Sequence, residues 1–388
     1  MANAFWTYPW DIADMGLAEV TGEIRDLGFD MISVAAAYHA GRFLQVRSPK
    51  RRAYFPQDGA LYFRPDPALW ADQVIQPIVS DLVQEQDVLR DLVAARQAGG
   101  LQVSAWTVCL HNTAQGERHP EHVTRNAWGD PNFYNLCPAS EASQSYVETL
   151  VRDLSHNVRP DRIELESPNF LGFAHEHHHE KDMVGLPPEG DFLMSLCFCD
   201  HCRSYGEGQG VSVDEVQAQV RGLLDQMCSG AVPERVAPDF PSAGLDAFPE
   251  PLRSYLTLRE DHVTKLLQRV QTACHTDVEL LMIDGQAGWI GGANHRAITE
   301  MGIGLLLCSY DQSDAEAEAL MHYAATLPAG RGGQIGLRLA VPEYADATAF
   351  QHRLALLRQH GATGVNLYNY GLVPKGRLAW LDGAFTPS

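Results

Sequence analysis

The residues best placed by type and spacing to do chemistry lie in one short segment, Asp161-Arg162-Ile163-Glu164-Leu165-Glu166-Ser167-Pro168-Asn169. Read as a β-strand, its side chains alternate, so Ile163 and Leu165 share one face while Arg162, Glu164 and Glu166 share the other. That places Glu166 at the C-terminal end of the strand and Glu164 one layer deeper. A carboxyl group at such a mouth suits general acid and base catalysis. A deeper one must be hydrogen-bonded or paired, with Arg338 as the expected cation. A purely structural ion-pair network is the competing use of the same two residues.

Glycoside hydrolysis typically needs a second carboxylate about 5 to 9 Å from the first. Asp284, after Leu-Leu-Met-Ile, Asp311, after Cys-Ser-Tyr, and Glu343, after Val-Pro, stand at other strand ends and are the candidate partners. Glu343 has the opposite parity to Gly336, Arg338 and Ala340, which Pro342 could reset. Each acid also has an ordinary alternative as a loop charge or a first-turn helix acid. Around the same strand ends fall Trp6, Tyr8, Trp10, Tyr38, His39, Trp106, His111, Asn112, Trp128, Tyr310, Tyr368, Asn369 and Tyr370. Aromatic faces mixed with imidazole and amide donors suit a sugar, whose C–H face stacks while its hydroxyls need directed partners.

Three of the eight cysteines crowd into Cys197-Phe-Cys199-Asp-His-Cys202. Thiolates at that spacing can converge on one tetrahedral Zn²⁺ with a fourth ligand from elsewhere. A closed four-thiolate site would be structural, whereas an open one holding water could be catalytic. His201 or a histidine from the tract His175-Glu-His177-His178-His179-Glu180 could complete the site, and that tract could also be a second metal site or only a solvated loop. The scattered Cys228, Cys274 and Cys308 are expected to be buried small hydrophobes.

These residues need a scaffold, and the chain alternates β-like and helix-like stretches. Strands are expected at Ala4–Tyr8, Met31–Ala36, Gln102–Trp106, Arg162–Leu165, Val278–Ile283, Gly304–Cys308, Ile335–Ala340 and Gly364–Tyr368. Helices are expected at Leu17–Asp26, Val79–Ala98, Glu141–His156, Leu252–His275, Asp314–Thr326 and Ala347–His360, several followed by glycine. Eight such units predict parallel β-α-β connections closing into a (β/α)8 TIM barrel of the α/β class. An open doubly wound sheet would carry a glycine-rich phosphate turn after its first strand, and none is present there. The expected organisation is one barrel over residues 1–388, with insertions at about 37–78 and 167–250, both on the face where barrel enzymes build their sites.

The chain has 388 residues, 45% of them hydrophobic, enough for a large core. Forty-nine acidic against 29 basic residues give a formal charge of −20, which disfavours nucleic acid and anionic membrane surfaces. No apolar run approaches the roughly 20 residues of a membrane span, and the first ten residues lack a signal-peptide pattern. The expectation is a cytoplasmic enzyme on a small carbohydrate or glycoside, with its oligomeric state open and a homo-oligomer among the choices.

At Glu166 and the cysteine motif the chain resembles bacterial (β/α)8 glycoside hydrolase-like proteins of the clan-A type, distantly the family 42 β-galactosidases. The resemblance implies that Glu166, ending strand four, is the acid/base and that Glu343, near the end of strand seven, is the nucleophile, with Asp284 next in line on parity. It also implies a structural zinc on Cys197, Cys199 and Cys202 together with Cys137, from the Asn-Leu-Cys-Pro stretch after strand three. Three features depart from the family pattern. Leu165-Glu166 replaces its Asn-Glu pair, the cysteine motif lies far beyond Glu166, and strand seven ends in Val-Pro-Glu-Tyr. The implied function is a two-carboxylate glycosidase using Trp6, Tyr38, His39, Trp106, His111, Asn112, Glu164, Asp311 and Tyr368 to bind substrate. A non-catalytic carbohydrate-binding barrel and a zinc-dependent hydrolase or lyase are the alternatives.

Overall fold

Eight parallel strands close on themselves in a computed structural model that describes residues 2–175, 181–328, 331–340 and 343–385. They are β1 (Ala4–Thr7), β2 (Met31–Tyr38), β3 (Gln102–Val108), β4 (Arg162–Glu166), β5 (Glu279–Asp284), β6 (Gly304–Cys308), β7 (Gln334–Arg338) and β8 (Gly364–Tyr368). Each pairs with its sequence neighbours, and β1 pairs with both β2 and β8, which closes the (β/α)8 barrel. The outward faces carry Ile32, Val103, Ala105, Ile163, Leu165, Met282, Leu305 and Leu307, all packed under the helices in the main core. Burial on both faces explains why these strands are nearly continuous apolar runs.

The enclosing helices are α1 (Leu17–Asp26), α2 (Val88–Gln97), α3 (Glu141–Asp153), α4 (Leu252–Ala273), α5 (His295–Glu300), α6 (Asp314–Ala325), α7 (Ala347–Gln359) and α8 (Lys375–Leu378). Their starts are written in side chains. Ser140, Asn294, Ser313 and Asp346 each accept a backbone N–H of the first turn. The helix expected from Val79 begins afresh instead: Gln86 is extended and Asp87 caps α2 through the Arg90 N–H. Gly361, at φ +103°, ends α7 in a conformation that a side chain would strain.

Inside the barrel, parity places Trp6, Ser33, Ala35, Ser104, Trp106, Glu164, Glu166, Leu281, Leu306, Gln334, Arg338, Asn366 and Tyr368 on the inner face. Their registers agree, with Trp6 opposite Ser33, Trp106 opposite Glu164, and Arg338 opposite Tyr368. A register shift between Ala35 and Ala37 interrupts the alternation on β2. Ala37 consequently joins the outer core while Tyr38 enters the inner aromatic cluster.

After β2, the chain adds a short strand, Ala60–Leu61, antiparallel to Ala37–Tyr38. After β4, the helices Pro188–Met194, Asp200–Gly208 and Val213–Cys228 pack around Phe192, Val220, Leu224, Phe240, Phe248 and the start of α4. Residues 229–250 hold only turns and a short 3₁₀ segment, Gly244–Ala247.

Candidate active site

The C-terminal mouth of the barrel holds a cavity of about 290 Å³ lined by Trp6, Tyr38, Trp106, Glu166, Ile283, Cys308, Tyr310, Arg338 and Tyr368. All eight strands supply a wall, and Tyr310 just beyond β6 adds another. Among the described residues lining it, Glu166 is the one carboxylate. Trp106 Nε1 donates to Glu166 Oε2 at 2.5 Å, a bond set by strand register because the two residues flank the β3–β4 seam. Burial among aromatic walls pushes the Glu166 carboxyl above the usual carboxylate range, against the downward pulls of His39 and of the Trp106 bond.

One layer below, Glu164 is fully buried and its oxygens are filled. Trp6 Nε1 and Ser33 Oγ donate to Oε2, both at 2.7 Å, and Asn366 Nδ2 donates to Oε1 at 2.8 Å. Its cation is Arg162, 3.8 Å away, and not Arg338 as the sequence suggested. The expectation failed because Arg338 is claimed from outside the barrel: Nε binds Glu343 at 2.6 Å and Nη2 binds Asp311, while its Cζ lies 5.0 Å from the Tyr310 ring centroid.

That arrangement fixes the two acids beyond β6 and β7. Glu343 accepts from Arg338 and from the Asp311 backbone N–H, so it touches the cavity wall through the guanidinium. Asp284 is turned elsewhere, accepting from His295 Nε2 at 3.0 Å and from the Gly285 N–H. The parity reset assigned to Pro342 lies outside the described residues, as do His177, His178 and His179.

Of the predicted binding residues, Trp6, Tyr38, Trp106 and Tyr368 meet in the cavity. The Tyr8 hydroxyl ties two of them together, 3.0 Å from that of Tyr38 and 2.7 Å from that of Tyr368. His39 stacks on Tyr38 at 4.3 Å, and His111 stacks on His39 at 4.4 Å, so both border the site. Asn112 serves the backbone instead, capping the helix Thr113–Arg118 and donating to the Gly59 carbonyl. Trp128 is exposed and away from the cavity. Arg338 and Ile283 were missed as walls, although their inward parity was legible.

Below the β3 and β4 loops, Cys137, Cys197, Cys199 and Cys202 are all buried with their sulfurs within 4.8 Å of one another. Cys137 Sγ lies 3.8 Å from Cys197 and 3.6 Å from Cys199 and from Cys202. A tetrahedron with 2.3 Å Zn–S bonds sets its corners roughly 3.8 Å apart, so the donor set and the spacing both fit a divalent metal such as zinc. Four protein thiolates leave no coordination position for water. His201 stacks on His122, and the fourth corner is Cys137. Four buried sulfurs this close would repel one another as thiolates, a charge that a divalent cation would partly neutralise.

The other cysteines differ from the expectation. Cys228 is exposed at the last turn of its helix, Cys274 is half-buried, and Cys308 faces the cavity with its thiol pushed up to about 12 by burial.

No protein-family model matches the chain, and no curated protein sequence is matched. Among solved structures, the catalytic domain of β-amylase from Paenibacillus polymyxa aligns with a TM-score of 0.53 at 10% identity, over 99% of each chain. The PgaB (BpsB) glycoside hydrolase domain from Bordetella bronchiseptica aligns with a TM-score of 0.57 at 12% identity, over 100% of this chain and 99% of that one. At such identities the likeness is one of fold: the chain is a (β/α)8 barrel of the kind seen in glycoside hydrolase domains.

Proposed function

We propose that this protein is a glycoside hydrolase acting on a short soluble glycoside, with Glu166 as general acid and then general base. The observation that carries this reading is the position of Glu166: the end of β4, inside an aromatic cavity, with its carboxyl held protonated further up the pH scale than usual. With Trp106 bonded to Oε2, the proton resides on Oε1 and passes to the glycosidic oxygen as the C–O bond breaks. The resulting carboxylate then takes a proton from the attacking water. Trp6, Trp106, Tyr38, Tyr310 and Tyr368 give the sugar ring stacking faces and phenolic partners.

Glu343 is our second carboxylate, since Arg338 links it to the cavity wall; Asp284, held by His295, ranks behind it. Asp311, Glu343 and Arg338 together sum to one negative charge, which favours the positive charge that develops at the anomeric carbon. The four-cysteine site supports the distant family 42 resemblance. Zinc there would fasten the insertion after β4 to the loop after β3, and no catalytic step passes through it.

A second reading, a carbohydrate-binding barrel without turnover, is favoured by one specific fact: Glu166 is the one acid among the described residues that line the cavity. A panel of aryl glycosides assayed with wild type and Glu166→Gln decides between them. Turnover that falls by roughly 10²-fold or more in the variant supports the hydrolase, because general acid catalysis is worth about 10²–10⁴. Saccharide binding with no turnover in wild type supports the second reading.

A further inference from the structure

Arg259, on α4, is 3% exposed, and no carboxylate among the described residues forms an ion pair with it. Nη1 donates to the Ile290 carbonyl at 3.1 Å, while Nε and Nη2 are buried with no hydrogen-bond partner. Rings enclose the guanidinium, its Cζ 4.6 Å from the Phe170 centroid and 5.2 Å from that of Phe192. Glu260, next along the helix, accepts instead from Asn294 Nδ2 at 3.2 Å. Ring faces offset only part of the cost of burying an unpaired charge, so Arg259 calls for negative charge from another source.

The four-cysteine cluster is that source. α4 touches it one turn earlier, where the Tyr255 hydroxyl donates to the Cys197 carbonyl at 2.5 Å and the Tyr255 ring stacks on Phe198 at 5.3 Å. Tyr255 and Arg259, four residues apart, share a helix face. Burial lowers the Arg259 guanidinium to about 10, and the cysteine sulfurs, Cys202 and Cys197 first, pull it back up. The two arginines that adjoin the cluster are engaged elsewhere. Arg203 reaches Asp214 and Gln217, and the Arg125 guanidinium reaches the Gly129 and Pro120 carbonyls. Backbone N–H groups of Arg125 and Ala139 already donate to Cys197 Sγ at 3.3 Å and Cys137 Sγ at 3.4 Å. A divalent ion on four thiolates would still carry two negative charges in an apolar interior, and such a group is held by its outer partners as well as its ligands.

We infer that Arg259 is the counter-cation of this metal site, offsetting one of its two negative charges and setting how tightly the four cysteines hold a divalent ion. Metal held by the loop after β3 and the insertion after β4 is thereby coupled to α4 of the barrel wall. The inference rests on the reading of the four cysteines as a metal site and is independent of the role of Glu166.

The probes are Zn²⁺ and Co²⁺, each titrated into full-length protein in competition with a chromophoric chelator. Arg259→Met, which removes the charge and keeps an apolar stem, should hold either ion about 10–100-fold more weakly, the usual cost of losing an outer partner of a metal ligand. Arg259→Gln, which keeps a donor for the Ile290 carbonyl, should match it, and Arg259→Lys, which keeps the charge, should recover most of the loss. Cobalt spectra of every variant should show the same tetrahedral four-sulfur coordination, marking a loss of charge and not of a ligand. Urea unfolding adds a readout that packing alone would not move. Arg259→Met should lower the midpoint of the zinc-loaded protein and leave that of chelator-treated protein equal or higher, because protonated sulfurs give the arginine nothing to offset. Wild type that takes up neither ion overturns the metal reading and the counter-cation with it. Uptake by wild type overturns the counter-cation alone if Arg259→Met binds as tightly, if Arg259→Lys binds as weakly as Arg259→Met, or if the midpoint falls equally with and without zinc.

Discussion

Glu164 and Glu166 sit two residues apart on β4 and face the same barrel interior, in opposite surroundings. The deep layer gives Glu164 three hydrogen-bond donors and an arginine, so its oxygens are filled and its position is fixed from four strands. The mouth gives Glu166 one indole donor, an open cavity and aromatic walls. The same residue type on the same face thus serves architecture in one layer and, under the proposed hydrolase reading, proton transfer in the next. Partners decide the role, and alternation only selects the face.

The comparison breaks if the deep residue proves dispensable. Glu164→Ala should cost about 3–5 kcal/mol in denaturant unfolding, because it leaves the Trp6, Ser33 and Asn366 donors unpaired around a buried void, while Arg162 keeps Glu279. Glu166→Gln should change stability by no more than about 1 kcal/mol. Equal losses would mean that the mouth is as structural as the layer beneath.

The acidic residue Asp11, on the helix Pro9–Met15 beneath the mouth, is a third case, buried with its carboxyl pushed up to about 7 by desolvation. For an acid with a raised folded value, stability is fully present below the ordinary aspartate range and declines as pH rises to about 7. That decline amounts to at most about 4 kcal/mol from 1.36 kcal/mol per unit. Asp11→Asn should flatten that slope in unfolding measured from pH 4 to 8, and an unchanged slope would count against the assignment.

The cysteine cluster is a second closed site, and it sharpens the contrast in another way. Metal analysis should find about one zinc per chain. Cys199→Ser should lose it and loosen the insertion after β4, seen as faster proteolysis there, with the barrel intact. Metal-free protein with an unaltered insertion would contradict the assignment.

The smallest effect concerns tuning. The Trp106 bond lowers the Glu166 carboxyl against the upward push of burial. Since the acid must be protonated, activity falls as pH rises through its value. Trp106→Phe should move that alkaline limb to higher pH, and movement to lower pH would reverse the argument.

Much of this was legible in the residues. The alternation of β4 placed both glutamates inward, and the Cys-x-Cys-x-x-Cys spacing pointed to sulfurs that converge and could hold a metal, because both depend on local geometry. Tyr38 was recognised as a mouth residue, but the register shift that turns it inward is not encoded in a period of two. The pairing of Arg338 escaped for a different reason. Which acid reaches it depends on the paths of the loops after β6 and β7, and those bring Asp311 and Glu343 to its guanidinium from outside the barrel. Asn112 was misleading because an amide at a loop end serves a helix cap as readily as a sugar hydroxyl.

The central claim is that Glu166, and not Glu164, donates the proton that cleaves the substrate. It is tested most directly by comparing Glu166→Gln with wild type on two aryl glycosides of the same sugar, one with a poor phenol leaving group and one with a good one. The account predicts a fall of about 10²-fold or more on the poor leaving group and a much smaller fall on the good one, which needs little protonation. Equal falls on both substrates, or turnover unchanged by the substitution, would contradict it.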